Sequence, residues 1–275
     1  MPPIPLEDNF NDILGKAIRG RKHDRDALAA QAGLAPASLL RLLDGEFDEP
    51  GVRQLAPLLD LGTETLVAIG KEAYHPGIGA PEGLLGFNTP YADFFVNAYL
   101  VWDPATRKAV VFDTGSDLTP LLEEAKARGL DIVLILVTHT HQDHIMCLDA
   151  LIEATGAPAY ASELEPAKGA ATLTAGQRFQ VGGLTIEARK TTGHSRGGTS
   201  YVVTGLEKPL VVVGDALFAG SMGGGVVSYE DALANNRREV FTLPDETIIC
   251  PGHGPLTTIG LEKQHNPFYP EFNPA

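Results

Sequence analysis

The stretch "DIVLILVTHTHQDH", residues 131–144, decides the fold. Its five apolar residues "VLILV" are too few for a typical buried helix and read as a strand covered on both faces. They lead directly into Thr138 and His139, and then three histidines and an aspartate fall within residues 139–144. Burying several ionisable rings without partners costs free energy, so a core does not gather them. A chain of eight histidines that places three of them at one strand end is presenting them to something.

The same layout recurs downstream. "LTIEARKTTG" delivers His194, "PLVVVG" delivers Asp215 and "TIICPG" delivers His253. Strand ends that feed polar loops are where a rigid scaffold presents reactive side chains. Seven ligand-type residues are therefore expected to converge: His139, His141, Asp143, His144, His194, Asp215 and His253. Imidazoles with carboxylates suit transition metals, and seven exceed the three protein ligands of an open zinc site. The count predicts two divalent metal ions sharing a carboxylate, with Zn expected and Fe or Mn as alternatives.

Around this centre the chain has two textures. Residues 10 to about 72 read as short helices: "RDALAAQAG" and "APASLLRLLDG" end in Gly33 and Gly45, plausible stops. After the Gly/Pro-rich "YHPGIGAPEG" come β-rich runs, among them "NAYLVW" and "KAVVFDTG" flanking the turn "DPATR". "LTPLLEEAKARG" and "CLDALIEATG" read as helices between strands. This predicts a helical domain over 1–75 and an α/β (α+β) layered domain over 76–275. The formal net charge of −14 opposes a broad nucleic-acid or anionic-membrane surface. Cys147 and Cys250 form no CxxC pair, and no secretory leader or membrane-length apolar run is visible. A soluble cytoplasmic protein is expected.

"HTHQDH", "TTGH", "GDALF" and "PGHG" resemble the ordered motifs of the metallo-β-lactamase superfamily, over roughly residues 84–270. "LPDETIICPGHGPLTTIGLEKQHNPF" is most similar to the glyoxalase II group, which hydrolyses hydroxyacylglutathione thioesters. The resemblance implies an αββα sandwich with metals at one sheet edge. It assigns His139, His141 and His194 to one metal, and Asp143, His144 and His253 to the other. Asp215 would bridge both, Asp113 in "FDTG" would support the site, and Asp143 with Asp215 would be catalytic. A metal-bridging hydroxide would then cleave a small-molecule thioester or ester. The glyoxalase II group carries a C-terminal helical region that helps bind glutathione, but this chain stops about twenty residues after His253. Gly223–Gly225 stand where relatives show an arginine-containing stretch. Glutathione is therefore not implied. Resemblances to mononuclear-iron persulfide dioxygenases and to lactonases are the alternatives. Arg196, in "GHSRGG", is a candidate anchor for an anionic substrate group.

"DALAAQAGLAPASLLRLLDGEFDEPGVRQLAPLLDLGTETL" resembles the helix-turn-helix of Cro-type repressors, which makes a DNA-binding regulator the alternative of another class. Residues 19–72 carry seven basic and nine acidic side chains, net −2, so phosphate contacts would be few. The expectation is a packing element, covering the larger domain or pairing two chains as a homodimer, with no nucleic-acid partner.

Overall fold

Continuously apolar strands need cover on both faces. In the computed structural model, which describes residues 4–273, that cover comes from both ends of the chain. Five helices come first: α1 (Phe10–Gly20), α2 (Arg25–Gln31), α3 (Pro36–Leu43), α4 (Glu49–Leu55) and α5 (Thr63–Gly70). Asp24 and Asp48 start α2 and α4 by accepting the Ala27 and Gly51 N–H groups at 2.9 and 3.0 Å. Gly33 and Gly45 follow α2 and α3 with φ of +70° and +94°, the left-handed turns that stop a helix.

The first sheet contains β1 (Leu84–Tyr91), β2 (Phe94–Trp102), β3 (Lys108–Phe112), β4 (Asp131–Leu136), β5 (Ala159–Ser162) and β6 (Ala171–Leu173), in that spatial order. The connections carry α6 (Thr119–Ala127), α7 (Gln142–Ile145) and α8 (Leu148–Thr155). The second sheet is ordered β12-β11-β10-β9-β8-β7. Its strands are β7 (Arg178–Val181), β8 (Leu184–Lys190), β9 (Thr199–Thr204), β10 (Leu210–Gly214), β11 (Ile248–Pro251) and β12 (Thr257–Thr258). The helices α9 (Tyr229–Asn235) and α10 (Ile259–His265) flank it.

Alternation along each strand explains the apolar runs. Val110 and Phe112 of β3 face Leu210 and Val212 of β10 in the core between the sheets. Ala109 and Val111 point the other way, onto Leu121 of α6 and Leu151 of α8. On the second sheet, Val211, Val213 and Ile249 point outward into a cluster with Ile13 and Leu14 of α1, Leu39 of α3 and Leu66 of α5. The N-terminal helices thus share one apolar core with the outer face of that sheet. The layers run helix, sheet, sheet, helix, an αββα sandwich. Among the described residues no helix is long and apolar enough to cross a membrane.

Directionality sets where the loops go. β3 and β4 run parallel, as do β10 and β11, and β8 is antiparallel to β9, which is antiparallel to β10. The C-terminal ends of β3, β4, β8, β10 and β11 therefore lie at one end of the sandwich. Thr199 N–H donating to Thr138 O at 2.9 Å, and Asn97 N–H to Gly252 O at 2.8 Å, stitch the two sheets together there.

Candidate metal centre

All seven predicted side chains meet at that end, in two groups. His139, His141, His194 and Asp215 offer ligand atoms within 4.8 Å of one another, and so do Asp143, His144 and His253. Asp215 faces both groups. Its Oδ2 lies 3.2 Å from His194 Nε2 and 3.8 Å from His139 Nε2. Its Oδ1 lies 3.3 Å from His144 Nε2 and 3.4 Å from His253 Nε2. Asp143 Oδ2 is 3.4 Å from each of those two nitrogens. Gly252 makes room for this arrangement, since a Cβ there would sit 2.2 Å from Asp215 Oδ1.

The surrounding hydrogen bonds fix which ring nitrogen is free. Asp113, buried at the end of β3, accepts Thr138 N–H and Thr138 Oγ1–H at 2.7 Å and His144 Nδ1–H at 2.8 Å. Its φ of +55° is an uncommon conformation for a residue with a side chain, held here by those three bonds. Because Thr138 Oγ1 gives its proton to Asp113, it accepts from His139 Nδ1 at 3.1 Å. His194 Nδ1 donates to Gly224 O at 3.0 Å and His253 Nδ1 to Phe95 O at 2.6 Å. Four rings therefore direct Nε2 inward with Nδ1 carrying the proton, the arrangement that orients metal-binding imidazoles. The fifth, His141, brings Nδ1 to 3.0 Å from both His139 Nε2 and His194 Nε2. Nitrogen lone pairs at that separation repel unless a proton or cation sits among them. Among the described residues, His144 Nε2 and Asp215 Oδ1 are buried without any hydrogen-bond partner. Those two orphaned atoms and the facing lone pairs fit divalent cations.

Charge points the same way. Burial opposes ionisation of Asp215, but His253, His144 and His139 outweigh it and hold the carboxyl well below its usual range. Burial likewise opposes charge on His144, yet Asp215 and Asp113 push it up to about 10. For His253, Asp215 and Asp143 outweigh burial and push the ring up to about 11. His139, buried beside His144, is held well below its ordinary value. Three buried carboxylates demand positive charge at their centre. Metal ions held by these rings and carboxylates would supply it.

Arg196 is exposed two residues past His194 and makes no ion pair among the described residues. Cys147 is half-buried at the start of α8, and Cys250 packs between the sheets. Burial pushes the Cys147 thiol up, so it is a poor thiolate. His75 binds Ile4 O at 2.9 Å and His265 stacks on Tyr74, both away from the ligand groups.

Several residues about the site escaped the sequence reading. Glu165 accepts Thr140 Oγ1–H at 2.8 Å and Gly197 N–H at 2.6 Å, tying the "HTHQDH" loop to the loop that carries His194. The N-terminal segment also reaches the site. Asp8 accepts from both Lys16 Nζ and Ser221 Oγ, and Lys16 Nζ also donates to Met222 O at 2.8 Å. Glu7 packs on Gly254 beside His253, and burial pushes its carboxyl up to about 7. No local pattern in the sequence marks contacts between residues two hundred positions apart.

The family profile described as the Metallo-beta-lactamase superfamily matches residues 91–253. A probable metallo-hydrolase of Streptococcus pyogenes is 36% identical over 201 residues, covering 62% of this chain and 84% of that protein. The hydroxyacylglutathione hydrolase GloC of Haemophilus influenzae is 28% identical over 204 residues, covering 65% of this chain and 95% of that protein. Among solved structures, TTHA1623 in a di-iron-bound form superposes with a TM-score of 0.55 at 30% identity, covering 66% of this chain and 99% of that one. About a third of this chain has no counterpart in these relatives, and the N-terminal helices lie outside the matched family region.

Proposed function

We propose that this chain, which belongs to the metallo-β-lactamase superfamily, is a dinuclear metal-dependent hydrolase of a small thioester or related ester. The observation that supports this most is Asp215, which turns one oxygen toward each group of ring nitrogens. His139, His141 and His194 would hold one ion, Asp143, His144 and His253 the other, and Asp215 both. Bound there, the ions would acidify water and polarise an acyl oxygen.

The chain's own residues do the rest. Asp113 keeps the His144 ring in place by holding its Nδ1 proton, and Thr138 does the same for His139. Asp143 is buried among the rings, where His253 and His144 outweigh burial and hold its carboxyl below its usual range, so it is an ionised acceptor for a proton of the attacking water. Two cysteines with raised thiols leave no candidate thiolate nucleophile. No general acid is needed to protonate the leaving group when that group is a thiolate, which favours a thioester. The relative named as a hydroxyacylglutathione hydrolase supports the same class.

The test is metal analysis of the purified protein, followed by a panel of thioesters, lactones and persulfides. Two metals per chain with thioester hydrolysis is expected. One iron with oxygen consumption on persulfides would replace this reading with the dioxygenase one. Asp215→Ala should lose metal and reduce hydrolysis well beyond the ~10- to 100-fold expected for Asp113→Asn, which removes only an orienting partner. An Asp215→Ala variant that keeps two metals and full activity sinks the assignment.

A further inference from the structure

The five histidines of the metal centre are not held alike. Four have one ring nitrogen anchored by a hydrogen bond, to Thr138, Asp113, Gly224 or Phe95. His141 has no such anchor among the described residues, because its ring meets only the nitrogens of His139 and His194. It is also half-buried, whereas His139, His144 and His253 are buried. An unanchored ring must be ordered each time a metal binds, which weakens binding.

The residue before His141 supplies what its ring lacks. Thr140 donates its Oγ1–H to Glu165 Oε1 at 2.8 Å, and its N–H meets the same oxygen at 3.4 Å. Glu165 Oε2 accepts the N–H of Gly197, three residues past His194, at 2.6 Å. Each carboxylate oxygen thus serves one of the two loops whose histidines face each other at 3.0 Å. β5 delivers the carboxylate: it runs parallel to β4, so Glu165 follows it at the same end of the sheet as His139.

The partner loop is built for close approach. A Cβ at Gly197 would sit 2.3 Å from Glu165 Cβ, so glycine admits the contact. The loop carrying His194 is closed at its base by Thr191 N–H, which donates to Gly198 O at 2.8 Å. Burial opposes ionisation of Glu165, but Gly197 and Thr140 outweigh it and hold the carboxyl below its usual range. Hydrogen bonds to an ionised acceptor are roughly twice as strong as neutral ones. His144 and His253 of the other group have anchors of their own, at Asp113 and Phe95.

The geometry points to Glu165 as a positioning residue that sets the spacing of His141 and His194, and thereby the affinity of the first metal group. It acts through Thr140 and Gly197 rather than as a ligand. The inference rests on the two-metal reading above.

The experiment uses the full-length protein, with Zn2+ alone as the probe and a chromophoric chelator as competitor. Two backgrounds separate the groups: His253→Ala leaves the first intact, and His194→Ala leaves the second. Glu165→Gln keeps the size of the side chain but replaces one acceptor oxygen with a donor, so one loop loses its bond. In the His253→Ala background it should weaken Zn2+ binding by ~10- to 100-fold, the range for residues that orient metal ligands. In the His194→Ala background it should leave binding unchanged. Glu163→Ala, which removes an exposed carboxylate two residues away, should alter neither. Unaltered binding by Glu165→Gln in the His253→Ala background overturns the proposal. An equal loss in both backgrounds also overturns it, since that marks a residue that merely holds the fold. Thr140→Val removes only the Oγ1–H donor and should give a smaller loss at the first group. If Glu165→Gln shows no cooperative melt, Thr140→Val decides, and no loss there overturns the clamp. A wild type that binds one Zn2+ defeats the two-metal reading alone. The affinity of Glu165→Gln for that single ion then decides the clamp: a loss supports it, and equality with wild type overturns it.

Discussion

The two outer layers of the sandwich do the same physical work with different parts of the chain. α6 and α8 cover the first sheet and arise from connections between its neighbouring strands, β3 to β4 and β4 to β5. The second sheet is covered by helices that precede every strand, joined by α9 and α10. A layer built from crossovers comes with the sheet. A layer recruited from the start of the chain is free to bring new side chains to the active end, and Asp8 and Lys16 show it doing so. The difference teaches that the metal chemistry belongs to the shared sandwich, whereas the surroundings of the metals are partly this chain's own.

The comparison breaks most directly by deletion. Removing residues 1–72 strips cover from Val211, Val213 and Ile249, which are almost fully buried against the helices. Exposed apolar area of this kind costs about 25 cal/mol per Å² and invites association. The truncated chain should therefore aggregate or lose its cooperative melt, although every candidate ligand remains. A soluble monomer of residues 73–275 that melts like the full-length protein and binds two metals would show that the helices are not a layer of the fold.

A smaller perturbation sharpens the point at the contact itself. Lys16 and Asp8 are nearly buried, so Lys16→Met leaves a buried carboxylate with Ser221 as its remaining partner. Breaking such a pair from one side costs about 3 kcal/mol or more. Denaturant titration should show that loss, and Lys16→Met/Asp8→Asn should recover a good part of it. A single variant as stable as the wild type would mean that the contact ties nothing together.

The sandwich and its site were legible because their signals are local. An apolar run followed at once by "HTHQDH" states both that a strand is buried and that its end is reactive. The strand ends at His194, Asp215 and His253 repeat that signal. Short strands were not legible: β5 is "AYAS", with little of the β-branched or aromatic content that marks a strand, and it is held by its pairing with β4. The helical stretch showed its apolar spacing, but such a pattern says that a face is buried without saying against what. Glu165, Asp8 and Lys16 were invisible for a related reason, since their partners come from distant loops.

The contact between the linker residue Tyr74 and α10 holds a pH-dependent element. Glu262 of α10 is fully buried and accepts from Tyr74 Oη at 3.1 Å, Thr257 Oγ1 at 2.7 Å, Gly220 N at 2.9 Å and Asn266 Nδ2 at 2.8 Å. Burial outweighs those bonds and pushes its carboxyl from 4.5 up to about 7. A raised carboxyl pKa means that the folded state holds the proton more tightly than the unfolded one. Stability is therefore lost as pH rises from about 4.5 to about 7 and is level above that, by at most about 3 kcal/mol. Glu262→Gln cannot titrate, so the stability difference between wild type and variant should change across that window. Parallel stability profiles from pH 4.5 to 7 would remove Glu262 as the cause.

The weakest effect expected is on DNA. α2 and α3 do stand as two helices joined by a short turn at residues 32–35, the local geometry behind the helix-turn-helix resemblance. Sequence reading needs base contacts from the second helix and phosphate contacts around it. Leu39 and Leu42 of α3 are buried, and Leu40 is exposed where a polar reader would serve. Arg41 is engaged by Ser38 at 3.2 Å and by Glu46 at 3.7 Å. Lys16 is bound to Asp8, and Arg53 to Glu49 and Glu64. Arg21 and Lys71 are likewise paired, with Asp60 and Glu49, in a chain whose net charge is −14. Fluorescence anisotropy with duplex DNA at physiological salt should show no binding tighter than the ~100 µM end of the non-specific range. Submicromolar affinity that falls steeply with added salt would instead make the N-terminal layer a DNA reader, and its packing against the sheet would then be the way a metal site is coupled to it.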